Sequence, residues 1–460
     1  MNFIGRNKDL EKIANKLNED NFNLTLVYGR RRVGKSELVK QAIKACDFKN
    51  IYYECKQVSE LNNVESLAKN VSTSLNMPPL GYKDIESLLR YLFEYAKNEK
   101  LILVLDEYPY LKNAIGGIDS VLQSLIDEYR EESKLSLIIL GSYVDVMKSL
   151  LEHSNPLYGR VDLCINLTPM DYYESSLFYP NFSNEDKVRI YSVFGGIPYY
   201  NRLIDDRKSV KENIINLIAS EDARLENEVS MYLNSEISKI INTNEVLEVL
   251  AKGYSKYKDI LSQSHVSSGP TLVDVLDKLI RMEIVEKVTP INEPSNKKKT
   301  YYRVKDNLSL FYYRYIFPHS SELKIMNANA FFDKYIKKDF DEYFVPHQFE
   351  IICAQYIIRL SRNNFIYPPL EKIGKYYYDD PINHTNGEFD IVSKDENGYI
   401  FYEVKFRNKQ IKDKDILEEI EQIKLTGLDC YKYVFFTKSE ATDVTIKNIS
   451  LIKLNDLFIA

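Results

Sequence analysis

Apolar positions in the first 170 residues follow two rhythms. Four short continuous apolar runs, LTLVYG at 24–29, IYYEC at 51–55, LILVLDE at 101–107 and SLIILGS at 136–142, alternate with stretches whose apolar residues recur every three or four positions. After the first run, Val39, Ile43 and Cys46 fall at i, i+4 and i+7, one buried helix face. Residues 84–97 read as a second amphipathic helix. Strands without polar alternation need cover on both faces, so the pattern predicts a parallel sheet with crossover helices.

The rhythm then changes. Residues 171–235 are helical and polar, as a lid after the sheet would be. VLEVLAKG (246–253) and KYKDIL (256–261) predict two short helices, and TLVDVLDKLIRME (271–283) a third, with Leu272, Val275, Leu276, Leu279 and Ile280 on one face. Two strands follow, IVEKVTP and TYYRVKD, joined by INEPSNKKK. Three helices and a ribbon with a basic tip make a winged-helix pattern over 236–310. An aromatic-rich connector spans 311–345. The last 115 residues return to α/β: a helix at 348–360, strands near 388–393, 399–404 and 431–437, and a helix at 411–425.

A chain of 460 residues is too long for one ordinary core, so several domains are expected. The net charge of −6 excludes a uniformly basic coat but not a local basic patch. Five scattered cysteines with no C-x-x-C pair fit reduced thiols and offer no zinc site. The start, MNFIGRNKDLEKI, lacks the apolar core of a signal peptide, and no apolar run approaches the ~20 residues of a membrane span. A cytoplasmic protein without membrane contact is the expectation.

The chemistry begins at GRRRVGKS, 29–36, which satisfies G-x-x-x-x-G-K-[ST] at every fixed position. Gly29 and Gly34 let the backbone curl through Arg30, Arg31, Arg32 and Val33 so that its N–H groups face phosphates. Lys35 reaches the β- and γ-phosphates, Ser36 holds Mg²⁺, and Glu37 opens a helix whose positive end faces the same anion. LILVLDEY supplies the second half: Asp106 suits Mg²⁺ coordination through water, and Glu107 can polarise the attacking water. It follows the lysine by 106 − 35 = 71 residues, room for helix, strand and helix. An isolated Asp-Glu pair usually only caps a strand; beside a matched phosphate loop the catalytic reading prevails. ATP and Mg²⁺ are the expected cofactors.

FIGRNKDLEKI, YGRRRVGKSELV, LVLDEYPYL, LIILGSYVDVM, NPLYGR and FGGIPYY, in that order, resemble the archaeal-type ATPase family, within the AAA-like and STAND P-loop NTPases, over about the first 220 residues. The resemblance implies that Gly5 and Arg6 border the adenine and that Ser142 senses the γ-phosphate. It makes Arg160 a candidate arginine finger or sensor, and it places Gly196 and Pro198 in a G-x-P element of the lid that contacts the base. Ser142 could equally cap a helix, Arg160 form a structural ion pair, and Gly196 and Pro198 merely break and restart a helix. An arginine finger supplied in trans would imply a homo-oligomer.

In GEFDIVSKDENGYIFYEVKFR, 387–407, Asp390 lies on one strand, and Glu403 and Lys405, two apart, share a face of the next. Two carboxylates on neighbouring strands can share Mg²⁺ while a lysine orients water. The stretch resembles the PD-(D/E)xK nuclease superfamily over about 340–460. That resemblance implies a metal role for Glu350, Asp390 and Glu403 and a part for Gln422 in the following helix. An E-x-K on a strand is more often a surface ion pair. The resemblance also extends to a C-terminal domain of uncharacterised role that often accompanies this ATPase.

The expected fold is α/β. A P-loop parallel sheet (1–170) carries a helical lid (171–235), then a winged helix (236–310), a connector (311–345) and a small restriction-endonuclease-like domain (346–460). Two functions follow from different classes. One is ATP-driven DNA processing, with Lys297, Lys298 and Lys299 as a basic wing on phosphates, although Asp274 and Asp277 beside Lys278 and Arg281 suit DNA poorly. The other is a STAND-like switch or scaffold whose C-terminal domain is inert. No small-molecule metabolic substrate is suggested.

Overall fold

A computed structural model describes residues 3–79, 81–236, 241–380, 385–407, 411–439, 446 and 449–459. The chain divides into two compact units: residues 1–169 with 197–199, and residues 170–196 with 200–460.

The first unit is a five-stranded parallel sheet. Its strands are β1 (Asn23–Tyr28), β2 (Lys49–Glu54), β3 (Leu101–Asp106), β4 (Leu135–Gly141) and β5 (Leu163–Asn166), in the spatial order β2-β3-β4-β1-β5. Every residue of β1, β3 and β4 is buried, which is why these strands read as unbroken apolar runs. β5 escaped the sequence pattern because it has four residues and only Ile165 buried. Helices Lys35–Lys44, Glu60–Ser74, Ile85–Tyr95 and Ile118–Tyr129 accompany the sheet. Asp84 starts the third of these by accepting from Ser87 N. β4 lies between the two motif-bearing strands, so the C-terminal ends of β1, β4 and β3 stand side by side.

The second unit opens with helices that include Asn184–Phe194, Val210–Leu217 and Glu228–Glu236. Helices Ile241–Ala251, Tyr257–Gln263 and Gly269–Arg281 follow, then the antiparallel pair β6 (Val285–Val288) and β7 (Tyr301–Val304). Leu272, Val275, Leu276 and Leu279 are buried as expected, and Ile280 is half-buried. The segment expected to be a connector is a packed aromatic core instead. Phe311, Tyr313, Tyr315, Phe340 and Phe344 are all buried, and Phe311 contacts Tyr315, Phe340 and Phe344 edge-on or tilted.

Helix Val345–Arg362 leads into a second five-stranded sheet. Its strands are β8 (Lys372–Asp380), β9 (Thr385–Asp395), β10 (Gly398–Lys405), β11 (Cys430–Thr437) and β12 (Ile449–Lys453), in the order β12-β11-β10-β9-β8. β8, β9 and β10 form an antiparallel meander, while β10, β11 and β12 are parallel. Helix Asp413–Leu425 connects β10 to β11 and buries Ile416, Ile420 and Ile423.

The wing expectation needs correction. Ile291 N donates to Lys375 O at 2.8 Å, and Asn292 pairs twice with the Tyr377 backbone, at 2.8 and 3.1 Å. The loop therefore lies along β8, the edge of the second sheet, and covers an edge that would otherwise be open. Lys299 is taken up by this contact: its Nζ sits 3.4 Å from the Tyr377 ring centroid and 2.5 Å from Glu293. On the third helix, Lys278 is paired with Asp274 at 2.8 Å.

Candidate functional site: a phosphate loop and a carboxylate–lysine cluster

β1 delivers the chain to the phosphate loop in a conformation that only glycine supports at two points. Gly29 has φ +149°, and a Cβ there would lie 2.2 Å from Leu167 O; Gly34 has φ +99°. Between them Val33 is buried, and Arg32 takes φ +66° with its guanidinium 4.2 Å from the centre of the Tyr199 ring. Arg31 donates to the hydroxyls of Tyr110 (3.0 Å) and Tyr143 (3.3 Å), and Arg30 is buried. Glu37 stands exposed in the first turn of the following helix.

Lys35 is 5% exposed, and its ammonium donates to Gly29 O (2.7 Å), Arg30 O (3.1 Å) and Ser142 Oγ (2.9 Å). Ser142, just beyond β4, in turn donates its Oγ–H to Glu107 Oε1 at 2.5 Å and its N–H to Glu107 Oε2 at 3.2 Å. Lys35, Ser142 and Glu107 thus form a continuous relay across the sheet edge, made by the strand inserted between the two motifs. Glu107 has φ +54°, a left-handed conformation that costs a non-glycine residue roughly 1–2 kcal/mol. That strain lets its carboxylate point to Ser142 instead of following β3.

Asp106 is 5% exposed and fully partnered. Its Oδ1 accepts from Glu107 N at 2.9 Å, and its Oδ2 accepts from Ser36 Oγ at 2.7 Å and Tyr52 Oη at 2.5 Å. Burial, and then the Asp106 charge, push the Tyr52 phenol well above its ordinary range, so it remains a donor. Tyr52 carries no sequence motif. Its only signal is register: Glu54 pairs with Asp106 and Tyr52 with Val104, so Tyr52 stands on the Asp106 face, one pleat back.

The outer residues separate into two groups. Gly5 and Arg6 are both left-handed (φ +70° and +62°), and Arg6 donates to Thr168 O at 2.5 Å. Pro198 Cγ lies 3.8 Å from where a Gly34 side chain would begin, so Pro198 borders the phosphate loop. Gly196 has a steric role: its Cβ would sit 1.8 Å from Met170 O, where the two backbones pair. Arg160 is committed elsewhere, forking onto both oxygens of Asp127 at 2.8 and 2.6 Å and donating to Pro156 O.

In the C-terminal sheet, Tyr402 pairs with Ile391, which puts Asp390 across from Glu403. Lysines neutralise both acids. Lys375 Nζ, from β8, is 2.8 Å from Asp390 and 3.6 Å from Glu388. Lys405 bonds Glu403 and, at 2.8 Å, Glu419 of helix Asp413–Leu425. Burial pushes the Glu403 carboxyl up to about 7 against the pull of Lys405, with Glu419 and Asp390 adding to the rise. Burial opposes the charge on Lys405, but Glu403 and Glu419 outweigh it and hold the ammonium above the ordinary lysine range. Glu350 bonds His347, one turn earlier, at 3.1 Å, and Gln422 is exposed. Among the described residues no group of three His, Cys, Asp or Glu side chains is arranged to hold a metal ion. Asp390 and Glu403, the two carboxylates expected to share Mg²⁺, each carry a lysine partner here. Neither Lys375 nor Glu419 was found from sequence, since one lies on a strand the pattern missed and the other on a helix face crowded with acids.

No helix among the described residues is long and apolar enough to cross a membrane. Residues 3–204 match the model of an ATPase domain found predominantly in Archaea, and residues 312–417 match a family of archaeal and bacterial proteins of unknown function. An uncharacterised protein of Methanocaldococcus jannaschii is 29% identical over 94% of both chains. An uncharacterised ATP-binding protein of the same organism is 22% identical over 49% of this chain and 75% of its own. Among solved structures, a Walker-type ATPase of Pyrococcus abyssi superposes with a TM-score of 0.50 at 18% identity, covering 68% of this chain and 99% of that one. The phosphate loop, the inserted strand and the match over residues 3–204 support a P-loop ATPase domain in the N-terminal part of the chain.

Proposed function

We propose that the protein binds ATP with Mg²⁺ and hydrolyses it. The observation that carries this reading is the Lys35–Ser142–Glu107 relay standing beside the Ser36–Asp106 pair. The residues fit the nucleotide: a loop turned at Gly29 and Gly34, a buried lysine resting on that loop's own carbonyls, and a hydroxyl–carboxylate pair of magnesium-binding type. Mg²⁺ would neutralise charge on the β- and γ-phosphates. Lys35 would exchange its loop carbonyls for phosphate oxygens, releasing Ser142. Glu107, relieved of part of its hold, would then be able to orient a water. Arg6 and Pro198 would flank the base, by the resemblance stated above.

The test is steady-state ATP turnover with and without Mg²⁺ for the wild type and Glu107→Gln. The expected result is magnesium-dependent turnover that falls by about 10²-fold or more in Glu107→Gln while ATP binding persists. Equal turnover in the two proteins would sink the assignment of Glu107.

A second reading concerns the second unit. Asp390, Glu403 and Lys405 gather on adjacent strands, the arrangement that metal-assisted phosphodiester cleavage requires once the lysines yield to a cation, and DNA is the substrate it suits. With Lys297 and Lys298 still solvent-facing at the wing tip, ATP turnover would be coupled to DNA processing. If the lysines never yield, the unit is an inert effector and the protein a nucleotide switch. Incubation with linear, circular and branched DNA in Mg²⁺ or Mn²⁺, beside Lys405→Ala, separates them: cleavage that vanishes in the variant supports the enzyme, and no cleavage supports the switch.

A further inference from the structure

We infer that Tyr52 is a positioning residue for the magnesium centre, fixing the Asp106 carboxylate in the orientation that receives the hydrated cation. This rests on the ATP-hydrolysis reading above and adds to it a residue outside both nucleotide motifs.

The argument starts from what happens to Asp106 when Ser36 leaves it. Ser36 Oγ now donates to Asp106 Oδ2, and a serine that coordinates Mg²⁺ must turn its oxygen lone pair to the metal, so this bond is lost or rebuilt on loading. A buried carboxylate that loses a donor can rotate about its Cβ–Cγ bond, which is a broad, nearly two-fold torsion. Two donors then remain: the Glu107 N–H on Oδ1, and the Tyr52 phenol on Oδ2 at 2.5 Å. The first is local and moves with the β3 backbone. The phenol comes from another strand, and its ring is fixed from two sides. β2 is laddered to β3 through six consecutive pairs, from Lys49 to Glu54, and Lys40, from the helix that follows the phosphate loop, holds its ammonium 4.6 Å from the ring centroid. The Tyr52 carbonyl also accepts from Asn70 Nδ2 at 3.3 Å. A phenol so anchored reads the Asp106 orientation against the β2 strand and the Lys35–Lys44 helix together. One oxygen is held on the phenol and the other on the N–H, so the carboxylate keeps one plane, with second lone pairs open to metal-bound water. Positioning partners of this kind typically change metal affinity 10–100-fold when removed.

Tyr52→Phe keeps the ring, its contact with Lys40 and the strand, and removes only the hydroxyl. Tyr53→Phe is the matched control, because the Tyr53 hydroxyl donates to Asn63 Oδ1 at 2.7 Å, on the other face of β2. The measurement is binding of a fluorescent ATP analogue, first in EDTA and then across a Mg²⁺ titration, with Mn²⁺ in parallel. The expected result for Tyr52→Phe is EDTA affinity within about twofold of wild type and a half-saturating Mg²⁺ concentration raised about tenfold, with a smaller rise for Mn²⁺. Tyr53→Phe should show neither change. A Tyr52→Phe titration that overlays the wild type overturns the inference and leaves the ATPase reading standing. A wild type whose analogue affinity ignores Mg²⁺ overturns both, and that result is visible before any variant is made.

Discussion

The two charged centres of this protein are built from similar parts and end in opposite states. At the phosphate loop, Ser142 stands between Lys35 and Glu107, and Asp106 is met by the hydroxyls of Ser36 and Tyr52 and by an N–H. At the C-terminal cluster, Lys375 and Lys405 bond Asp390 and Glu403 directly. Where neutral donors hold a carboxylate, its charge remains available to a cation. Where an ammonium holds it, a cation must first displace a lysine and leave that lysine a new partner. The comparison teaches that the same residue types can hold a carboxylate with hydroxyls, as at Asp106, or with ammonium groups, as at Asp390 and Glu403.

The strongest way to break the comparison is to remove one lysine from each centre. Lys35→Ala should abolish ATP affinity and lower turnover by about 10²-fold or more, because its ammonium is the mobile charge of the first centre. Lys405→Ala should leave turnover within about twofold. A Lys405→Ala protein that loses ATPase activity while keeping its wild-type melting temperature would show that the two centres communicate.

Next in size is the pH response of the closed centre. Glu403 has its proton held up to about 7 in the folded chain, against an ordinary value near 4.5. Between those values the folded state binds more proton than the unfolded state, so raising the pH through that window removes stability. Glu403→Gln has no such proton to lose, and its stability relative to wild type should improve by about 3 kcal/mol between pH 4.5 and 7.5. Lys405 keeps Glu419 at 2.8 Å in the variant, so its ammonium is not stranded. Urea titrations of both proteins at each pH supply the difference; a gap independent of pH would mean that Glu403 is ionised throughout.

The wing contact sharpens the comparison because it falls on the strand that carries Lys375. Asn292 replaces two backbone partners of Tyr377, two residues along β8 from the Lys375 that caps Asp390. Asn292→Ala should cost about 1–2 kcal/mol, the worth of two exchanged hydrogen bonds at a partly buried edge. Amide exchange at Tyr377 should quicken in the variant. Unchanged exchange would show that the edge is protected by something other than this loop.

How legible each centre was in the sequence follows from its geometry. The phosphate loop is local: eight consecutive residues fix its curvature, and the apolar strands around it have only one covered arrangement. Its long-range part was legible where a motif marked it, as at Asp106 and Glu107. It was invisible at Tyr52, which depends on the register of β2 against β3. The C-terminal meander was half legible. Glu403 and Lys405 share a face by strand period alone, but β8 carries tyrosines and lysines on both faces and gave no alternation. The lysine that neutralises Asp390 sits on that strand. The wing was read as a phosphate contact because a basic loop between two strands carries no sign of the edge it will cover.

The smallest expected effect tests the residue on which motif order and geometry differ most. Arg160 sits in the segment that resembles an arginine finger, yet its guanidinium forks onto Asp127 and also donates to Pro156 O and Tyr158 O. Four such contacts, two to helix Ile118–Tyr129 and two within its own turn, define a strut. The Asp127 carboxyl is held below its usual range by that fork. The pair is partly exposed, with side chains 25% and 52% accessible, so solvent screens it and its loss should cost no more than about 1 kcal/mol. Arg160→Ala should therefore lower the melting temperature slightly and leave ATP turnover within about twofold, at every protein concentration tried. A variant that loses turnover only at high protein concentration, where a neighbouring copy could supply the guanidinium, would instead make Arg160 a finger acting in trans. Asp127→Asn separates these outcomes further: it frees Arg160 without deleting it, so a strut loses stability in both variants, whereas a finger loses turnover only when the arginine itself is gone.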